Sequence, residues 1–328
     1  MPRVTRRLAL GAILVLAALP RAAPVAAKDP AKAEHDRIVA YWTPARMASA
    51  IPRDFVKAGG KFVPMARPGG GGGGGGAVTG ASWSQSGPIL ARSGKVFFTL
   101  GSTRYVCSGS VVNDTRQNFS LVLTAGHCTY DEAAGRYATN WMFYPDWDSN
   151  PTQSCASATY GCWTAEALVL HDGFASAGGF NERAITHDFA FAVVGAGTVR
   201  AGVDPILDKA VGSYPLSTSI TATGVKAYAF GYPAAQKFKG NDLVYCAGNT
   251  VTDPAFSGQT WGLLCSMTGG SSGGPWVFGF EGQNPVLGSL NSYGRSGDPN
   301  MYGPKFNATT AAVYSAADGA TANDIVGD

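Results

Sequence analysis

The sequence predicts an all-β fold of the sandwich or barrel kind. From Trp83 onward, short apolar runs are separated by Gly, Asn, Asp and Pro, the punctuation of strands and turns. No long stretch carries the 3.6-residue apolar period of an amphipathic helix. The 328 residues leave room for two domains or for one double unit with extensions, and for a large core.

Strands are expected over 95–100, 105–112, 120–124, 141–144, 166–170 and 188–194. A second set follows over 225–230, 243–246, 275–280 and 286–293. Ahead of them the chain changes character. Arg3, Arg6 and Arg7 precede an apolar core from Leu8 to Leu19 and the small-residue site Val25-Ala26-Ala27, so residues 1–27 read as a secretory signal peptide. The core is too short for a membrane anchor, which needs about 20 apolar residues. Residues 1–27 hold Arg3, Arg6, Arg7 and Arg21 and no acid, so without them the formal charge of +3 becomes −1. That balance gives no nucleic-acid footprint.

Residues 28–68 carry eight basic and four acidic side chains, and Thr43-Pro44-Ala45-Arg46-Met47 predicts a short helix capped by Thr43. Eight consecutive glycines follow at 69–76, a flexible linker. A phosphate-binding loop is the competing reading, but no Lys-Ser or Lys-Thr follows the run. Residues 28–80 are therefore expected to be a pro-segment removed during maturation, against the alternative of a tail that stays attached. Its charge of +4 against −5 over 81–328 suggests a weak electrostatic hold.

Six cysteines, an even number in an exported chain, suggest disulfides; about 15 pairings are open to sequence alone. A zinc site competes poorly, because close C-x-x-C spacing is absent. Asn113-Asp114-Thr115, Asn118-Phe119-Ser120 and Asn307-Ala308-Thr309 match the glycosylation sequon, a tripeptide frequent by chance.

The chemistry concentrates in three places. Gly269-Gly270-Ser271-Ser272-Gly273-Gly274-Pro275 sets a serine among glycines, where backbone N–H groups can crowd a reacting oxygen. Thr124-Ala125-Gly126-His127-Cys128 follows an apolar run, and Asp188 opens another. A serine nucleophile needs a base, and the base needs an orienting carboxylate. The pentad Gly270 to Gly274 also fits the nucleophile elbow of α/β-hydrolases, but His35, His127, His171 and His187 all precede Ser272, which excludes that order. A subtilisin order would use Asp114, which has no such signature around it.

These motifs, with Cys107-Ser108-Gly109-Ser110-Val111-Val112, make the chain resemble the chymotrypsin-like (trypsin-fold) serine proteases over about residues 84–316. Phe230-Gly231-Tyr232-Pro233 and a serine loop without an aspartate bring it closest to the secreted bacterial branch that includes glutamyl endopeptidases. The resemblance implies two six-stranded antiparallel β-barrels, 81–200 and 201–328, with the active site in the cleft between them. It implies His127, Asp188 and Ser272 as catalytic residues and the N–H groups of Gly270 and Ser272 as the oxyanion hole. Ser292 would contact the aspartate from the strand that pairs with substrate. Ser266 and Met267 would lie near the base of the specificity pocket, with Asn291, Ser292 and Tyr293 along a wall. It implies the bridge Cys107–Cys128, after which Cys155–Cys162 and Cys246–Cys265 are the local choices.

Rivals exist at each position. Asp172 in His171-Asp172-Gly173 suits a turn, His187 an exposed edge, and Ser271 lacks the spacing from Gly270. Ser271 also stands where many family members carry an aspartate that pairs with a freed N-terminal amine, and it cannot form that ion pair. No carboxylate marks the pocket, and the wall lacks the histidine of glutamyl endopeptidases, so a small or apolar side chain is expected there. The expectation is a secreted, monomeric serine endopeptidase acting on protein or peptide substrates, without cofactor, metal, nucleic acid or membrane. A catalytically silent double-barrel binding module is the alternative, and an esterase using the same triad a further one.

Overall fold

The computed structural model describes residues 1–2, 29–64, 77–149, 154–256 and 258–327. The leader expected over 1–27, apart from its first two residues, and the glycine run 69–76 lie outside the described residues. Six antiparallel strands form the first half: β1 Ser93–Leu100, β2 Thr103–Val112, β3 Ser120–Thr124, β4 Thr139–Pro145, β5 Trp163–His171 and β6 Ala190–Val194. They hydrogen-bond in the order β2-β1-β4-β5-β6-β3, and β3 pairs back with β2. The ring is closed, but β3 covers only Ser110–Val112 of β2, which leaves the first part of β2 as an edge. Large side chains of these strands have no exposure, among them Phe97, Phe143, Leu121 and Trp163.

The second half has β7 Lys226–Gly231, β8 Val244–Asn249, β9 Thr260–Leu264, β10 Pro275–Phe278, β11 Val286–Leu290, β12 Tyr293–Arg295 and β13 Asn300–Pro304. One ladder runs β11-β10-β7-β8 and ends on Val78–Ser82. The other joins Val251–Thr252, β9, β13 and β12. These ladders do not close into a second ring; β8 and the end of β9 are linked instead by the Cys246–Cys265 disulfide. Strands β9 and β13 were not foreseen, because Gly262, Gly303 and Pro304 break their apolar runs. Glycine is demanded at 303 by packing: a Cβ there would lie 1.9 Å from the Leu290 carbonyl oxygen.

Helices are few. Residues Ala308–Gly319 form one, with a capping box between Asn307 and Thr310 and with Val313 and Ala317 buried. Another, Pro30–Tyr41, begins with the Asp29 side chain accepting from Ala31 N. Its Ile38 is buried, and the following Trp42 donates from Nε1 to the Asn140 carbonyl at 2.6 Å. His35 is held between Thr164 Oγ1 and Thr198 Oγ1, at 2.9 and 2.8 Å. Thr43 then caps the short helix Pro44–Ala48.

The segment continues as two short strands that run parallel to strands of the main body, Ile51–Pro52 on β2 and Phe55–Ala58 on β12, and Phe55–Ala58 also pairs antiparallel with Lys61–Pro64. The ion pairs Arg53–Glu132 and Lys57–Glu182 join it to the rest of the chain, and apolar burial adds to them. Burial of Ile38, Trp42, Met47, Phe55 and Val56 contributes about 1.5–3 kcal/mol per side chain. Attraction between the net charges of the two parts is screened beyond about 10 Å.

Candidate active site

Strand β3 delivers the histidine. After Thr124 the chain turns through a single 3-10 turn, Gly126–Cys128, and the Cys107–Cys128 bridge fastens that turn to β2. Space is tight at Gly126, where a Cβ would lie 3.0 Å from the Phe174 ring and 3.2 Å from Asp188 Oδ1. Asp188 precedes β6 by two residues, and Ala190 pairs with Thr124, so its carboxylate arrives under the histidine.

Asp188 Oδ1 accepts from the His127 backbone N–H at 2.9 Å. Its Oδ2 accepts from His127 Nδ1 at 2.8 Å and from Ser292 Oγ at 2.5 Å. An ionised carboxylate only accepts. Nδ1 therefore carries the proton and Nε2 is left as an acceptor. Nε2 is buried and has no hydrogen-bond partner among the described residues.

The serine loop is shaped by glycines with positive φ, +98° at Gly270 and +81° at Gly273. A Cβ at Gly270 would lie 2.8 Å from the Tyr232 carbonyl oxygen, and one at Gly273 would lie 2.2 Å from Thr124 Oγ1. Ser271 Oγ donates to the Thr268 carbonyl at 2.8 Å and so is already engaged. Asn291 braces the loop: Nδ2 donates to the carbonyls of Phe230 and Ser271, at 2.8 and 3.0 Å, while Oδ1 accepts from Trp276 Nε1.

One brace was missed in the sequence. Ser108 donates from its backbone N–H to the Ser272 carbonyl at 2.7 Å and from Oγ to the Gly270 carbonyl at 2.8 Å. Its Oγ also accepts from Tyr232 N. The only sequence signal was its place beside Cys107.

The other candidates sort themselves out. Asp172 pairs with Arg183 at 3.1 Å on the surface. His187 stacks on His171 with centroids 4.6 Å apart, and its Nδ1 lies against Thr186 Oγ1 and the Arg183 carbonyl. Ser266 bonds through both N and Oγ to the Thr79 carbonyl, and Lys237 Nζ approaches its Oγ at 3.3 Å. Met267 is buried in a cluster with the Cys246–Cys265 bridge, Trp261 and Trp276. Tyr293 donates its phenol to Asp253 at 2.6 Å, and Asp253 is in turn paired with Arg295. Burial first, and then the Asp253 bond, push the Tyr293 phenol far up. The one His, Cys and acidic cluster with metal-like spacing among the described residues is Cys107, His127 and Cys128. Its sulfurs are disulfide-bonded and offer no thiolate.

An unforeseen neighbour is the N-terminal segment itself. The Arg53 guanidinium donates to the His127 and Tyr130 carbonyls and pairs with Glu132 at 2.7 Å. The Phe55 ring meets the His127 ring edge-on at 5.4 Å and stacks on Phe180 at 4.0 Å.

A family model described as "Lysyl endopeptidase, C-terminal domain" matches residues 80–173. Among solved structures, the protease Anisep from Arthrobacter nicotinovorans is 36% identical with a TM-score of 0.61, over 74% of this chain and all of that one. A thermostable serine protease, AL20, from an extremophilic microorganism is 35% identical with a TM-score of 0.60, over 71% of this chain and 99% of that one. A Glu endopeptidase at 18% identity and TM-score 0.54 covers 74% and 97%, a likeness of fold. A search of curated proteins gives no match.

Proposed function

Because the chain belongs to the serine endopeptidases of the chymotrypsin fold, we propose that Ser272, His127 and Asp188 are its catalytic triad. Protein or peptide bonds are the substrate class. Ser272 Oγ attacks the scissile carbonyl while His127 Nε2 takes the hydroxyl proton and returns it to the leaving amine. Asp188 holds the imidazole in the tautomer with Nδ1 protonated and stabilises the imidazolium. The N–H groups of Gly270 and Ser272 hold the oxyanion; one such donor is worth about 3–4 kcal/mol to the transition state. The acyl-enzyme on Ser272 is then hydrolysed by water, with His127 as base.

The observation that carries this reading is the buried network on one carboxylate, His127 N, His127 Nδ1 and Ser292 Oγ all donating to Asp188. The test is intact-mass analysis with a fluorophosphonate probe. A single adduct on the wild type and none on Ser272→Ala is expected; an adduct on both would remove Ser272 from the mechanism.

Export through the leader 1–27 and removal of residues 28–80 belong to the same proposal. All of one related solved chain is covered by 74% of this one, which leaves about a quarter of this chain without a counterpart there. An N-terminus at Lys28 on secreted, active protein would overturn the maturation step. For the pocket, Ser266 and Met267 form the base in this reading, and Asn291 to Tyr293 the wall. Lys237 Nζ is the charged group on Ser266 Oγ. It opposes a cationic substrate side chain, and a small or apolar one is favoured.

A further inference from the structure

We propose that residues 51–58 are an inhibitor strand carried by the chain itself, threaded through the active-site cleft and anchored so that it occupies the site without being cut. This rests on the catalytic reading above and adds to it the device that keeps the triad silent before residues 28–80 are lost.

Four observations carry it. The strand spans both halves: Ile51 and Pro52 pair with Tyr105 and Val106 of β2, and Phe55 to Lys57 pair with Tyr293 to Arg295 of β12. An extended segment added to a free strand edge is a common way to fill a peptide-binding cleft. Between these two pairings lies the proposed chemistry, sealed from water: His127 and Asp188 are 0% and Ser272 2% exposed.

The side chains are placed as anchors. Phe55 enters an aromatic cluster with Phe174, Phe180, Phe256 and Tyr293, and covers the edge of the His127 ring. Arg53 is locked to the His127 and Tyr130 carbonyls and to the buried Glu132. A desolvated aromatic beside a fully bonded arginine is the composition of a binding hot spot.

The register also keeps a scissile carbonyl away from the oxyanion donors. A Cβ built on Gly269 meets Pro52 Cβ at 2.8 Å, Asp54 Cβ at 3.0 Å and Asp54 Oδ2 at 3.3 Å, so side chains, one of them acidic, crowd that rim. No backbone carbonyl of residues 51–63 accepts from Gly270 or Ser272. A peptide bond held that way is not positioned for attack.

The test compares labelling rates with a fluorophosphonate on the uncut chain. Phe55→Ala and Arg53→Ala, made separately so that one misfolded variant does not end the test, are each expected to label on the order of tenfold faster than uncut wild type, because labelling follows the open fraction. Protein cut within 65–76 and freed of its N-terminal part should label fastest. A synthetic peptide of residues 51–64 added back to it should slow labelling and be recovered intact. Uncut wild type labelling as fast as the trimmed protein, or rapid cleavage of the peptide, would overturn the proposal. Absence of labelling in every form, trimmed included, would instead sink the Ser272 reading, and the inhibitor strand with it.

Discussion

Asp188→Asn isolates the role of one hydrogen-bond pattern while leaving shape unchanged. In the native site one carboxylate oxygen accepts from the His127 backbone N–H at 2.9 Å, and the other accepts from Nδ1 at 2.8 Å and Ser292 Oγ at 2.5 Å. An amide has one accepting and one donating end. If the donating end faces the His127 backbone N–H, two donors meet in a buried place, at a cost of about 1–3 kcal/mol. The amide therefore turns its oxygen to that N–H and its NH2 to Nδ1, a preference on the order of thirtyfold for about 2 kcal/mol. Nδ1 must then be the acceptor, the proton moves to Nε2, and Nε2 can no longer take the Ser272 proton. A loss in kcat of about 10⁴ is expected with the fold retained. The assay is peptide-amide hydrolysis by trimmed protein, beside a thermal melt and nitrogen chemical shifts of the imidazole. A well-folded variant that loses less than tenfold, or that keeps the proton on Nδ1, would refute the reasoning.

Other outcomes are open to measurement. Gly273→Ala should destabilise the protein by roughly 2–5 kcal/mol, combining left-handed strain with overpacking against Thr124 Oγ1 and the Ser108 carbonyl; a melt within 1 °C of wild type, against several degrees expected, would contradict the loop geometry. Lys95, buried against the Phe97 and Trp147 rings with Nζ on the Gly240 carbonyl, has its amine pushed down to about 8 by desolvation. Between that value and the ordinary 10.5 the unfolded chain holds the extra proton, so this group makes stability rise with pH. Lys95→Met should remove about 2 kcal/mol of that rise between roughly pH 8 and 9.5, and parallel pH curves for the two proteins would disprove it. Finally, a peptide library should show little cleavage after Lys or Arg, given Lys237 at Ser266; fast cleavage after either would relocate the pocket.

The proposed site was largely readable in the sequence because its chemistry needs rare residues at short spacing. A donor at position 270 must come from a chain that bends where a Cβ would strike Tyr232, so the glycine is written locally. The strands of the first barrel were readable for a similar reason, since each contains an apolar run of three residues or more. What escaped depends on partners far along the chain. Ser108 gives no hint that it bonds Gly270, 162 residues away. In residues 51–58 apolar and charged side chains alternate without a clear period, and only the pairing with β2 and β12 shows why Arg53 and Phe55 stand where they do. The helix Pro30–Tyr41 was invisible to an all-β reading because only Ile38 of its residues is buried. Its remaining faces carry no apolar stripe for a period search to find.

The Cys107–Cys128 bridge has a reach beyond cross-linking. One of its cysteines adjoins His127, and the other adjoins Ser108, which grips the serine loop through Ser272 and Gly270. The proposed base and nucleophile are thus trued against each other across a single covalent bond. In the proposed mechanism, reduction of that one bond would slacken both groups at once, a restraint separate from the strand proposed for the cleft.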